Sequence, residues 1–467
     1  MTKIGLEIHC QLTNLKSKLF CSCKANYREF EINENICPIC MGLPGSLPRL
    51  NQEAVKKATM IAMALNCTTP DKIAFFRKNY FYPDLPKNFQ ITQLNIYGET
   101  SIGGTGSIIV GDKKIRITRI QLEEDPGRLI YEGSSSKNLI TLVDYNRAGT
   151  PLVEIVTEPD FENPKQVRDF VNILSDLLEN LQVSDPGLDG AMRADANVSI
   201  ERGNKVEIKN IGSFHDLEKA VHFEITRQES LHSRDIQIIQ ETRHWDDKRK
   251  ITVSSRSKEE DLDYRYFLEG DIPWIIIDPK TKENLKSNMP ESISSKKERY
   301  VSKYNIPIQV ATVLSSDKFY SDLFEESHTE VTAKEIANII TTDLMGLVDT
   351  REKREESKIT ATHLKDLADS IQSGKISRNS AKNALYEFVK TGKNLSQVMS
   401  ELDLGNVSDE SELLGIIKAV ISEESKAAEE AKSNPQIINF LVGKVMQKTK
   451  GKADPKLTLD LLKKQLK

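Results

Sequence analysis

The chain has 467 residues, of which 38% are hydrophobic and 29% charged, and its net charge is −4. Such a length predicts about two to four domains with cores of their own, and the lack of any run of ~18 apolar residues excludes a membrane-spanning helix. So small a net charge means that any nucleic-acid contact must come from a local patch.

The first residues, MTKIGLEIHC, run straight into a strand pattern without a signal-peptide layout, so the expected compartment is the cytoplasm. In GLEIHCQL, Leu6, Ile8, Cys10 and Leu12 fall on one face and Glu7, His9 and Gln11 on the other. Glu7 and His9 can therefore aim two ligands at one ion, although a half-exposed strand face would look the same.

Cys21, Cys23, Cys37 and Cys40 form C-x-C and, after thirteen residues, C-x-x-C. Two close pairs of thiolates fit a closed tetrahedral zinc site of structural type, and a cytoplasmic chain disfavours disulfides. Cys10 and Cys67 are left over and read as ordinary buried thiols. A helix is predicted over Asn51–Leu65, where Ala54, Ala58, Ile61, Ala62 and Leu65 recur at helical spacing. RKNYFYPDLPKNFQITQ, residues 77–93, reads as a structured loop carrying Lys78, Asp84 and Lys87.

Strand-like sequence resumes in IIVGDKKIRITRI and leads into RIQLEEDPGRLIYEG. Here Glu123, Glu124 and Asp125 cluster before a Pro126–Gly127 turn. After a short serine-rich turn comes LITLVDYNRAGTPLVEIVTEPD, in which Glu154 stands inside the apolar run Pro151–Val156. A buried carboxylate without a partner costs roughly 2–7 kcal/mol or more. Glu154 therefore calls for a cation: either Mg²⁺, which takes oxygen ligands and bridges phosphates, or a nearby arginine such as Arg147.

A helix follows over Pro164–Leu181. In GLDGAMRADANVSIERGNKVEIKNIGS, Arg193, Asp195, Asn197 and Ser199 share one strand face, a turn is expected at Gly203–Asn204, and Glu207 and Lys209 alternate with Val206 and Ile208 on the return. One face of this hairpin is polar and of mixed charge, which suits a phosphate and metal site or plain solvent. Another helix is expected over Phe214–Ser230. Arg243, Arg256 and Arg265 then lie among aromatic residues and could clamp phosphate. From about Pro290 strands vanish, and helical periods occupy Ser294–Tyr304, Lys334–Leu347, Ala361–Ser370, Ser380–Lys390, Ser411–Ala431 and Gln436–Lys448. A softer break lies at ELDLGNVSD. After Gly443, eight lysines face only Asp454 and Asp460, an RNA-binding patch or a solvated face.

GLEIHCQL, the cysteine quartet, KNYFYPDLPKNFQITQ, LEEDPGRLIY, DYNRAGTPLVEIVTEPD, MRADANVSI, EIKNIGSF, QETRHWD and DYRYFLEGDIP resemble, in this order, the GatB family, the B subunits of the tRNA-dependent amidotransferases. GKISRNSAKNALYEFVKTGK and NPQIINFLVGKVMQKTKGKADPKL resemble the family's helical and tail regions, so the likeness runs through nearly the whole chain. The related archaeal GatE proteins carry a large insertion for which this chain is too short. Pro126 stands where many relatives have a small residue.

The resemblance implies an α+β fold. It comprises a catalytic cradle similar to glutamine synthetase (1–290) with an inserted zinc knuckle (about 21–40), an all-α helical region (291–405) and a small helical tail that binds tRNA (406–467). It implies a carbon–nitrogen ligase working in a heterotrimer with the A (glutaminase) and C subunits. ATP would phosphorylate the side-chain carboxylate of Glu on tRNA(Gln) or of Asp on tRNA(Asn). Ammonia released from glutamine in the A subunit and channelled to the site would displace the phosphate. By motif match, Glu7, His9, Glu124 and Glu154 are the expected Mg²⁺ set, with Glu123 an alternative to Glu124. Lys78 and Lys87 resemble the residues that gate the ammonia channel. Asp195, Glu207, Lys209 and Arg193 belong to the polar hairpin near nucleotide and acyl end, and Arg265 is a further nucleotide contact.

Two other readings use the same residues. In one the chain is a non-catalytic tRNA-binding scaffold of the same assembly whose carboxylates are salt-bridged. In the other it is a ligase for a small molecule, which leaves the C-terminal helices without a task.

Overall fold

The computed structural model describes residues 2–132, 140–201, 203–257, 263–402, 404, 410–431, 435–449, 453 and 455–466. The serine-rich turn after Gly133 lies outside the described residues, as do Lys450, Lys452, Asp454 and Lys467. The chain divides into two compact units, Met1–Pro290 and Glu291–Lys467. Among the described residues no helix is long and apolar enough to cross a membrane.

The first unit contains fifteen strands among its described residues. They are β1 (Lys3–Gln11), β2 (Lys72–Ile73), β3 (Phe76–Asn79), β4 (Phe89–Thr92), β5 (Gly106–Val110), β6 (Lys113–Glu124), β7 (Arg128–Glu132) and β8 (Ile140–Asp144). After these come β9 (Pro151–Thr157), β10 (Met192–Ser199), β11 (Val206–Lys209), β12 (Glu241–Asp246), β13 (Ile251–Ser257), β14 (Phe267–Leu268) and β15 (Ile275–Ile276). Eight of them form one sheet in the order β13-β12-β11-β10-β1-β9-β6-β5, in which only β11 and β12 run parallel. β14, β3 and β4 form a smaller sheet.

Three helices cover one face of the large sheet: α1 (Gln52–Ala64), α2 (Pro164–Asn180) and α3 (Phe214–His232). The caps explain where they start. Asn51, Asn163 and Ser213 each accept backbone N–H groups of the first turn, the usual work of an N-cap side chain. These helices bury Ile61, Phe170, Leu174 and Leu217 against Leu6, Ile8, Leu122, Ile155 and Ala196 in one apolar core. The sheet's other face is left for polar groups. The pairing of β10 with β11 is not centred on the turn expected at Gly203–Asn204. Val198 pairs with Val206, and the Gly203 N–H donates to Ile200 O at 3.0 Å.

The second unit is helical throughout its described residues, with Tyr300, Tyr320, Phe324, Leu364 and Phe388 in its first core. Helices Ile308–Ser316 and Lys318–Ser327 were not legible as periodic runs. They are short and are separated by Asp317, whose carboxylate caps the second through the N–H groups of Phe319 and Tyr320. Lys334–Leu347 is interrupted by a wider turn, Ile339–Leu344, with i→i+5 bonding. A separate apolar cluster of Leu413, Ile417, Leu441, Val445 and Leu462 serves the last helices.

Candidate functional site

The pleat of the large sheet assembles the site. Cross-strand neighbours share a face, and residues two apart on a strand do too. His9 lies opposite both Arg193 of β10 and Glu154 of β9, Glu7 lies opposite Asp195, and Glu154 in turn lies opposite Gln121 of β6. Glu207 of β11 pairs with Asn197. These strands turn charged groups to the face that the helices leave open. The resulting cavity of about 310 Å³ is lined by Glu7, His9, Glu123, Glu154, Arg193, Asp195 and Lys209, with Lys78, Tyr80 and Gln90 closing one side.

Glu7, His9 and Glu154 each offer a ligand atom, and these atoms lie within 4.8 Å of one another. Among the described residues Glu7 makes no ion pair with lysine or arginine within 4.0 Å; His9 stands 3.7 Å from it, and its charge also acts on Glu154 and Lys209. Glu154 accepts from Arg119 at 3.3 Å, so the arginine beside it is Arg119. Arg147 instead donates to the carbonyls of Pro126 and Gly127 and stands 3.7 Å from Asp125. Crowding and burial show in the protonation of these groups. Burial, followed by the charge of Glu7, raises the Glu154 carboxyl above its usual range. Burial and then Glu154 push Glu123 up to about 8, and burial pushes Asp195 up to about 6 against the pull of Lys209. Loss of water takes His9 down to about 4, a neutral imidazole able to donate a lone pair. A divalent cation would relieve this repulsion, so the donor set of two carboxylates and an imidazole fits one. The histidine is the unusual member for Mg²⁺, which prefers oxygen.

Glu124 departs from the expected set. Adjacent strand residues point to opposite faces, so Glu123 enters the cavity and Glu124 leaves it. Glu124 takes Lys87 at 2.5 Å and the Ile91 N–H at 2.8 Å. Both line a second cavity of about 180 Å³ together with Phe20, Cys21, Cys40 and Gly42. Lys78 and Lys87 are therefore divided between the two cavities, one each. Glu123 lies 3.9 Å from His9 and accepts from the Thr92 hydroxyl.

Lys209 lies 3.3 Å from Glu207 and 3.6 Å from Asp195. Glu207 does not line the main cavity; it accepts from the Thr242 hydroxyl beside it. Arg265 is also outside it, exposed on a left-handed turn (φ 45°) with its guanidinium over the Phe81 ring. Arg243 donates to Thr252 and Glu241, which hold its guanidinium. Of Arg256 only the backbone, paired with Thr242, is described. The residues that sequence reasoning missed are Arg119 and Asp125. Asp125 is fully buried and accepts from Arg193 at 2.8 Å and Gln11 at 2.6 Å. Burial would raise its carboxyl, but Arg193 and Arg147 hold it below the usual range. Its role as the anchor of Arg193 was visible only as the third acid of an E-E-D cluster.

The sulfurs of Cys21, Cys23, Cys37 and Cys40 also lie within 4.8 Å of one another. Cys37 N–H donates to Cys40 Sγ at 3.2 Å, and Gly42, at φ 66°, closes the knuckle with its N–H on Ile39 O. Four sulfurs so disposed fit one tetrahedral zinc. Burial raises Cys10 and Cys67 to about 12, which leaves them inert thiols.

Comparisons with known proteins agree along the whole chain. Residues 2–283 match the family model of the GatB/GatE catalytic domain and residues 322–466 that of the GatB domain. The B subunit of the aspartyl/glutamyl-tRNA(Asn/Gln) amidotransferase of Saccharolobus solfataricus is 45% identical over 469 residues, 100% of this chain and 99% of the relative. That of Sulfurisphaera tokodaii is 46% identical over 470 residues (100% and 99%), and that of Thermotoga maritima 41% over 478 (99% and 98%).

Proposed function

Because the chain belongs to the GatB family, that of the B subunits of aspartyl/glutamyl-tRNA(Asn/Gln) amidotransferases, we propose that it is the ATP-dependent transamidating component of such an enzyme. It converts Glu on tRNA(Gln), Asp on tRNA(Asn), or both, to the amide. The observation that carries this reading is the open polar face, where Glu7, His9 and Glu154 confront Lys78, Arg193 and Lys209 across one cavity.

A carboxylate is a poor acyl donor, and a phosphoryl group transferred from ATP gives it a leaving group. Glu7, His9 and Glu154 would hold Mg²⁺, which neutralises phosphate charge when bound. Lys209 and Arg193 would offset the negative charge of the phosphates and of the departing phosphate, and Asp125 keeps Arg193 in place. Ammonia would reach the acyl group from glutamine hydrolysed in the A subunit. The Lys87–Glu124 pair at the second cavity, with Lys78 at the first, supports a passage between them. The C subunit, the glutamine-synthetase-like cradle, the structural zinc and a cytoplasmic setting belong to the same reading.

The test is ATP hydrolysis by the purified complex with and without mischarged tRNA. Hydrolysis that rises on adding Glu-tRNA(Gln) or Asp-tRNA(Asn) is expected; the absence of any tRNA-dependent ATP cleavage would leave the scaffold reading. Arg119 beside Glu154 is what a scaffold would need, but Glu7, with no direct arginine or lysine ion pair among the described residues, is not.

We assign tRNA binding to the C-terminal tail from residue 406. Lys444 and Lys448 pair with Glu424 and Glu423 at the end of an earlier helix, while Lys463 and Lys464 are exposed. Truncation after Leu404 is expected to weaken tRNA-dependent amidation and to flatten its salt dependence, since lysine–phosphate contacts lose affinity steeply with salt. Glutaminase activity in the A subunit should persist. An unchanged apparent affinity for tRNA across a salt series would remove this assignment.

A further inference from the structure

The cysteine quartet has a neighbour that its spacing does not reveal. Lys18 is 0% exposed. Its Nζ donates to Asn35 O at 2.9 Å and to Cys40 Sγ at 3.8 Å, and among the described residues it makes no ion pair with a carboxylate. A buried ammonium is costly without a counter-charge, and a buried hydrogen-bonding need alone would be met by a neutral side chain. The backbone holds it in place: Lys18 N–H donates to Cys23 O and Leu19 N–H to Gly149 O, both at 2.9 Å. The side chain therefore stands between the knuckle and the loop that carries Gly149. Gly149 sits at φ 84°, and a Cβ there would lie 3.6 Å from both Cys40 Cβ and Lys18 Cδ and 3.9 Å from Glu124 Oε2. Knuckle, lysine and Glu124 thus converge on one spot.

Four thiolates around one divalent zinc carry two net negative charges. We propose that Lys18 is the built-in counter-ion of this centre: its ammonium donates to the Cys40 thiolate and cancels one of those charges. The inference rests on zinc occupying the quartet, and on nothing about the reaction. Groups that donate to a metal's ligands set how firmly the metal is held, typically by about 10–100-fold in affinity.

The test uses the full chain in its complex. Zinc transfer to a chromophoric chelator is followed for wild type, Lys18→Met, Lys18→Gln and Lys18→Arg, and the thiolate-to-metal charge-transfer band is recorded after exchange with Co²⁺. Met and Gln variants should release zinc about 10-fold faster or more. Their cobalt band should move to lower energy, because sulfur lone pairs lose a cationic donor. Lys18→Arg keeps the charge and should keep the band. If Lys18→Met does not accumulate as folded protein, Lys18→Gln decides, since it retains a donor for Asn35 O and drops only the charge. Unchanged release overturns the proposal, and so does faster release with an unmoved band, which would make Lys18 a packing residue. A wild-type chain that holds no zinc overturns the zinc reading and the counter-ion with it.

Discussion

Glu154→Gln is expected to reduce ATP-dependent amidation by roughly 10²–10³-fold, the usual worth of one electrostatic group at a reacting centre. The substitution keeps the volume of a side chain buried on the sheet's polar face and removes the charge that meets Arg119 and the Glu7–His9 pair. The loss should fall on the phosphorylation step. Binding of tRNA, which we assign elsewhere, should barely change. Glu124→Gln should behave differently, because Glu124 faces Lys87 and the second cavity. Its tRNA-dependent ATP cleavage should persist while glutamine-dependent amidation falls. The measurement is single-turnover phosphorylation beside amidation driven by glutamine, for both variants. Near-normal amidation in folded Glu154→Gln protein would make the carboxylates structural ion-pair partners and favour the scaffold.

The second large effect is on the knuckle. Cys37→Ser or Cys40→Ser should lose about one zinc per chain, and with it the order of residues 21–42, since metal-binding free energy in such a site is folding free energy. Metal analysis of reduced protein and a thermal melt with and without chelator measure this. A wild-type chain without stoichiometric metal would sink the idea. The consequence should spread beyond the knuckle. Cys21, Cys40 and Gly42 wall the cavity that holds Lys87 and Glu124, and a Cβ at Gly42 would collide with the Lys87 side chain. The Glu7–His9–Glu154 group lies on the other cavity and should keep its geometry.

Much of this was legible before any coordinates. C-x-C and C-x-x-C determined the quartet, because ligand spacing within a turn is local. The alternation of GLEIHCQL determined that Glu7 and His9 share the polar face, because the pleat has period two. The helices over Asn51–Leu65 and Pro164–Leu181 were legible because apolar residues recur there at helical spacing, while their caps appeared only with the fold. The family followed from long motifs in a fixed order. What only the tertiary structure decided concerns partners far apart in sequence. Whether Glu123 or Glu124 enters the cavity turns on the register of β6 against β9, and a slip of one residue exchanges them. Arg119 was within reach of Glu154 only once those strands paired, while Arg147 was drawn off by the turn at Pro126 and Gly127. Lys18 read as one lysine among many until the fold closed water away from it and left Cys40 as its neighbour. Local periodicity and spacing set which groups share a face, but the choice of partner for a buried charge depends on which strands meet and which water is excluded, and neither is written in any short stretch of the chain.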